Sequence, residues 1–171
     1  MSLLTRLLGL EPDDRDALRP LWYKVVTISR QPRWYADGGI ADTVPGRFDT
    51  ITLVLAAVLL RMEREEALIA PSVRLTELFV EDMDGQLREA GVGDLMVGKH
   101  IGKLISTMGG RLGAYRTGLT TQDNALADAV ARNVSLGENG DPAKIAAMLR
   151  DLAASIADVP AKALLAGEIG A

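Results

Sequence analysis

Residues 77–119 read ELFVEDMDGQLREAGVGDLMVGKHIGKLISTMGGRLGAYRTGL, and the period of their apolar positions decides the fold class. Leu75, Leu78, Phe79, Met83 and Leu87 recur at helical spacing, which predicts one face of an α-helix. Beyond Gly93 a second pattern begins. At 100° per residue, Val97, Ile101, Leu104, Ile105, Met108, Leu112, Tyr115 and Leu119 fall within about 100° of arc, so a second helix should turn this stripe toward the core. About a third of a turn away run Gly102, Ser106, Gly109 and Gly113. Each glycine costs a helix roughly 1 kcal/mol relative to alanine, so this stripe calls for compensation. Small residues at such spacing admit the backbone of another helix. Two readings follow, a close contact inside the same domain and a groove for a partner helix bordered by Lys99 and Lys103.

Two motifs in the same stretch point toward enzymes. Phe79–Gly85, FVEDMDG, resembles the aspartate motif of haloacid-dehalogenase-type phosphatases, with Asp82 as nucleophile and Asp84 as general acid. That chemistry needs the end of a parallel strand, whereas the periodicity here is helical and would make the two carboxylates diverge. Gly93–His100, GDLMVGKH, fits a phosphate-binding loop except that His100 stands where a hydroxyl should hold magnesium. A helix capped near Asp94 explains it equally well. A calcium loop fails outright, because aligning Gly85 with its glycine puts Val80 and Gly91 where ligands belong.

The rest of the chain narrows the classes further. It has 171 residues, 48% of them hydrophobic, and a net charge of −4, which suits one domain and argues against an electrostatic nucleic-acid binder. Cysteine is absent and His100 is the only histidine, so thiolate chemistry is excluded and histidine-based metal sites or triads lack support. The expected cofactor set is empty. No apolar run is long enough to span a bilayer.

In chain order, residues 1–16 form a leucine-rich opening, Leu3, Leu4, Leu7 and Leu8, that would dock on the domain or touch a membrane surface. Residues 17–171 would form a single all-α domain of about seven helices. A helix from about Ala17 to Ser29 ends before Pro32, and Trp22, Tyr23, Trp34 and Tyr35 are interleaved with Lys24, Arg30 and Arg33, as core anchors, a protein-facing patch or a stacking surface for single-stranded nucleic acid. Gly38–Gly46 reads as an ordered loop. A helix from Thr50 to about Ala67, apolar around most of its circumference, should be the buried centre. Gly137–Pro142 should be the most flexible connection, followed by a last helix that stops before Pro160.

Arranged in this order, the blocks SRQPRWY (29–35), DTVPGRFD (42–49), EDMDGQLREAGVGD (81–94), VGK (97–99), Gly110-Arg111, Ala114-Tyr115 and Arg132-Asn133 resemble the ubiquinol–cytochrome c chaperone family over residues 23–133. The resemblance implies an all-α, non-enzymatic assembly factor of the cytochrome bc1 complex that binds newly made cytochrome b. In mitochondrial relatives the ribosome and a second small chaperone subunit are further partners. Without a mitochondrial targeting segment, the expected setting is a bacterial cytoplasm at the inner membrane, where peripheral membrane contact is open to it. A helical adaptor unrelated to respiration is the alternative. A client surface is expected at Lys99, Gly102, Lys103, Ser106, Gly109 and Gly113; a second patch, Arg30, Arg33, Trp34, Tyr35, Asp42 and Arg47, suits either a partner or an internal salt-bridged loop.

Overall fold

The structure, a computed structural model, describes residues 15–89, 94–121 and 123–170, with backbone alone for residues 87 and 94–101. The leucine-rich opening lies outside the described residues. A 3-10 turn, Asp16–Leu18, leads into α1 (Arg19–Ser29), followed by α2 (Val44–Met62), α3 (Ile69–Glu89), α4 (Asp94–Thr120), α5 (Ala125–Asn133), α6 (Pro142–Ala157) and α7 (Ala161–Leu165). No strand occurs among the described residues, and the protein is all-α; one isolated bridge joins Ile40 to Leu136.

Helix α2 is the centre because its sequence leaves no polar face. Every residue from Asp49 to Leu59 is buried, and α1, α4 and α6 all pack on it. Its two buried threonines return their hydroxyls to the preceding turn, Thr50 to the Gly46 carbonyl at 2.8 Å and Thr52 to that of Asp49 at 2.9 Å, which satisfies both donors within the helix. The helix starts six residues earlier than Thr50 and ends at Met62 rather than near Ala67. Pro45 lies in its first turn, where no amide is needed, and the Thr43 hydroxyl caps it by accepting from the Gly46 amide at 3.3 Å. What looked like loop punctuation is therefore a helix start. At the other end the chain leaves the helix through Glu63–Glu65 and makes a 3-10 turn, Glu66–Leu68.

The connection at 137–141 is knitted into the Gly38–Ala41 loop rather than left loose. The Gly137 amide donates to the Gly39 carbonyl at 2.8 Å, Asp141 to Gly38 at 3.1 Å, and Ala41 to Ser135 at 2.9 Å. Gly39 holds φ at +73° against the Asn139 carbonyl, where a side chain would collide. Asp141 then caps α6 by accepting from the amides of Ala143 and Lys144. Two loops distant in sequence thus stabilise each other, which local composition does not reveal.

On α4 the buried arc is rotated from the expected one. Met108 and Tyr115 are buried, and Leu104, Leu112 and Leu119 pack partly against the core, but Ile105 is 50% exposed. The rotation has a steric cause. Gly118 lies against α5 so closely that a Cβ there would come within 2.6 Å of Leu126 Cα, and the turn that presents Gly118 carries Ile105 outward. Val97 and Ile101 lie outside the described side chains.

Candidate functional site

Helices α1 to α4 leave an open groove of about 690 Å³ between them. Its apolar lining comes from Val44, Pro45, Phe48 and Ile51 of α2, Met83 of α3 and Leu104 of α4; Arg30, Arg47 and Lys103 bring cations to it, and Glu89 the opposing charge. Each wall is fixed from behind. After Pro32 the chain winds one π-helical turn, Arg33–Asp37, closed by the Gly38 amide on the Arg33 carbonyl at 2.9 Å. This turn sends Trp34 into the core, where its indole N–H donates to the Ile28 carbonyl at 2.9 Å, and sets Tyr35 at the groove, its hydroxyl donating to the Ser29 carbonyl at 2.8 Å. Phe48 packs on Phe79 at 6.3 Å, and Phe79 meets Trp22 edge-on at 6.0 Å.

Behind Phe48 lies a buried polar knot. The Arg111 guanidinium donates to Asp49 Oδ1 and to Thr52 Oγ1, each at 2.6 Å, and stacks over the Phe48 ring at 5.4 Å. The other Asp49 oxygen accepts from the Ser135 amide and hydroxyl at 2.8 and 2.7 Å. One carboxylate thus ties α4 and the 134–137 loop to α2. Such charge-assisted bonds are the strong ones, and these hold the Leu104 wall opposite Phe48. Nearby, burial pushes the Tyr115 phenol up to about 12, and its hydroxyl has no partner among the described residues.

The expected client surface divides into two parts. Gly102, Ser106 and Gly109 are exposed and Gly113 is half-buried. Among the described residues, a Cβ on Gly102, Gly109 or Gly113 would meet nothing within 4 Å. Against the expectation of a close contact inside the domain, the close backbone approach among the described residues occurs at Gly118, and no described residue covers the stripe. Ile105 stands on the edge of this open face. Lys103 lies between the stripe and the groove, and the Lys99 side chain falls outside the described residues.

The second patch is likewise sorted by the fold. Arg30, Tyr35 and Arg47 reach the groove, and Arg47 pairs with Asp42 at 2.7 Å on the exposed rim, holding the Asp42 carboxyl below the usual range through that hydrogen bond. Trp34 is fully buried, with the Arg33 guanidinium over its ring at 5.3 Å. Phe48, Met83, Leu104 and Thr107 complete the groove without having been singled out. Met83 and Leu104 belong to helical stripes that also build the core, Phe48 and Met83 to blocks of the family resemblance, and Thr107 carries no sequence signal.

The two enzyme motifs are helical. Asp82 and Asp84 lie within α3, where Asp82 accepts from Gln86 and Asp84 from Arg88; burial raises the Asp82 carboxyl above its ordinary range. The strand that a phosphatase motif requires is not there. Asp94–His100 form the first turns of α4, whereas a phosphate-binding loop needs these residues in a non-helical turn ahead of its helix. Among the described residues no cluster of acidic or histidine side chains could hold a metal ion, and no helix is long and apolar enough to cross a membrane.

Comparison with known proteins agrees with this architecture. The model of the family described as ubiquinol-cytochrome C chaperone matches residues 36–171. The crystal structure of the Cbp3 homolog from Brucella abortus is similar over 99% of this chain and 96% of its own, with a TM-score of 0.79 and 30% sequence identity. No curated relative matches the sequence.

Proposed function

Since this chain belongs to the ubiquinol–cytochrome c chaperone family, we propose that it acts as a non-enzymatic assembly factor of the cytochrome bc1 complex by holding a segment of newly made cytochrome b in the groove between α1 and α4. The observation that carries this reading is the groove itself, apolar along Phe48, Ile51, Met83 and Leu104 and bordered by Arg30, Arg47 and Lys103. An apolar client helix gains by burying its surface there at about 25 cal/mol per Å². The cations at the rim suit the polar end of such a helix, whose terminal carbonyls carry partial negative charge. The open glycine face of α4, with exposed Ile105, extends the surface on the far side of Lys103. Helices can approach such a face closely without large side chains interlocking, which favours release once the client's own partners arrive.

In this reading the protein works on the cytoplasmic side of a bacterial inner membrane, as a peripheral rather than a spanning protein. A second small chaperone subunit or the ribosome would meet it elsewhere on its surface. The experiment is affinity capture of the tagged protein from detergent-solubilised cells, with quantitative mass spectrometry. Apo-cytochrome b should be enriched over other abundant membrane proteins, and Leu104→Glu should remove that enrichment while leaving the circular dichroism spectrum unchanged. Capture of soluble proteins alone would replace this reading with that of a helical adaptor unrelated to respiration.

A further inference from the structure

On the side away from the client groove, α2, α4 and α6 enclose a second hollow of about 610 Å³. Four arginines, Arg61, Arg64, Arg116 and Arg150, are among the residues that line it, in a chain whose net charge is −4. Arg61, with a side chain only 10% exposed, pairs with Glu65 at 3.3 Å and donates to the Val159 carbonyl at 2.8 Å, leaving its Nε–H without a partner among the described residues. Arg116 forks onto Glu63 at 2.8 and 3.2 Å. Arg150 is held by the carbonyls of Leu119 and Thr121 at 3.5 and 3.2 Å, contacts that orient the group and leave its charge unneutralised. Asp123 feels that charge, but its Oδ1 is engaged by the Ala125 amide. Arg64 is exposed and has no side-chain hydrogen bond or ion pair among the described residues.

Four arginines against Glu63, Glu65 and Asp123 still leave a positive balance, and all four bases are of the type whose planar fork matches a phosphate. Beside them the hollow is apolar, lined by Ala154 and Ala157, and it is far larger than an inorganic anion. We infer that the α2–α4–α6 hollow binds a phosphate ester, with Arg64 and Arg150 as its principal ligands and the alanine side taking the group that the phosphate carries. Such an ester comes either from a phospholipid headgroup at a membrane surface or from a small soluble phosphate. The inference is independent of the client groove and of the assembly role.

Two binding assays on the full chain separate the sources. One is titration with glycerol 3-phosphate followed by calorimetry; the other is co-sedimentation with vesicles of phosphatidylcholine alone and of phosphatidylcholine mixed with phosphatidylglycerol. A headgroup site predicts retention on the mixed vesicles only, and a soluble-ester site predicts calorimetric binding without retention; either result supports the phosphate chemistry. In both cases Arg64→Ala, at an exposed residue whose loss leaves the fold untouched, should weaken binding about fivefold, and Arg150→Lys should weaken it further. The exposed Arg132 on α5 is the control. Binding to neither probe overturns the inference, as does an Arg132→Ala loss equal to that of Arg64→Ala, which would mean diffuse surface charge.

Discussion

Asp49 holds more of the structure than any other polar side chain described, because both of its oxygens are used in the core: one by Arg111, the other by the amide and hydroxyl of Ser135. Removing one partner of a buried ion pair leaves the other charge uncompensated, at a cost of about 3–5 kcal/mol. Asp49→Ala should therefore lower stability by that amount in urea unfolding, and Arg111→Met should cost less than Asp49→Ala, since it leaves a carboxylate that still accepts from Ser135. Tyr115 is the opposite case. Its hydroxyl is buried without a partner among the described residues, so Tyr115→Phe should leave stability unchanged or raise it by about 1 kcal/mol. The phenol's folded value of about 12 lies above its ordinary 10.0. The folded state therefore holds this proton more tightly than the unfolded chain does. That contribution is complete below about pH 10 and is lost as the pH rises toward 12, and the phenylalanine variant should unfold less readily over that window in an alkaline titration.

At the scale of the element, α4 carries glycines with opposite roles. Gly118 permits the approach of α5, and a Cβ there would come within 2.6 Å of Leu126 Cα; Gly118→Ala should cost about 1–3 kcal/mol through forced displacement. Gly109 has nothing within 4 Å of its Cβ position among the described residues, so Gly109→Ala should stabilise the helix by up to about 1 kcal/mol. Thermal unfolding of the two single variants should move in opposite directions. Gly109→Leu should keep the helical content and lose apo-cytochrome b capture; a loss of folding instead would mean that this face is covered within the chain. Periodicity made the helices of this region legible, including the rejection of both enzyme motifs. It misplaced Ile105, because the apolar stripe of α4 is wider than the arc the neighbours cover, and contacts such as Gly118 on Leu126 and Arg111 on Asp49 fix which part is covered.

At the scale of the whole molecule, the C-terminal segment closes the fold on its beginning. Leu164 and Ile169 are buried, α7 packs against α1, and Arg61 reaches the Val159 carbonyl. A chain ending at Pro160 would lose both side chains from the core, each contributing about 1.5–3 kcal/mol. It should therefore be about 3–6 kcal/mol less stable, measured by the midpoint and slope of urea unfolding. Burial of α1 against a segment more than a hundred residues away is a long-range pairing with no local signal, and the sequence reading accordingly ended its last helix before Pro160. The client groove is a similar case. Much of its lining belongs to blocks 29–35, 42–49 and 81–94, each legible as a motif, but the wall of Lys103, Leu104 and Thr107 comes from α4, which Arg111 and Asp49, 62 residues apart, tie to α2.

The amino-acid sequence by itself determined the all-α class, the buried central helix, the helical nature of Asp82 and Asp84, and the family to which these blocks point. The first three follow from local period, punctuation and composition, which act between residues a few positions apart; the family follows from the resemblance that the blocks carry. The tertiary structure alone decided which face of α4 is buried, that Trp34 is a core residue while Tyr35 lines a groove, that the 137–141 connection is bonded into the Gly39 loop, and that four arginines meet in one hollow. These depend on which surfaces are covered when helices pack. Coverage is set by contacts such as Gly118 on Leu126 and Arg111 on Asp49, whose partners the chain brings together only once it has folded.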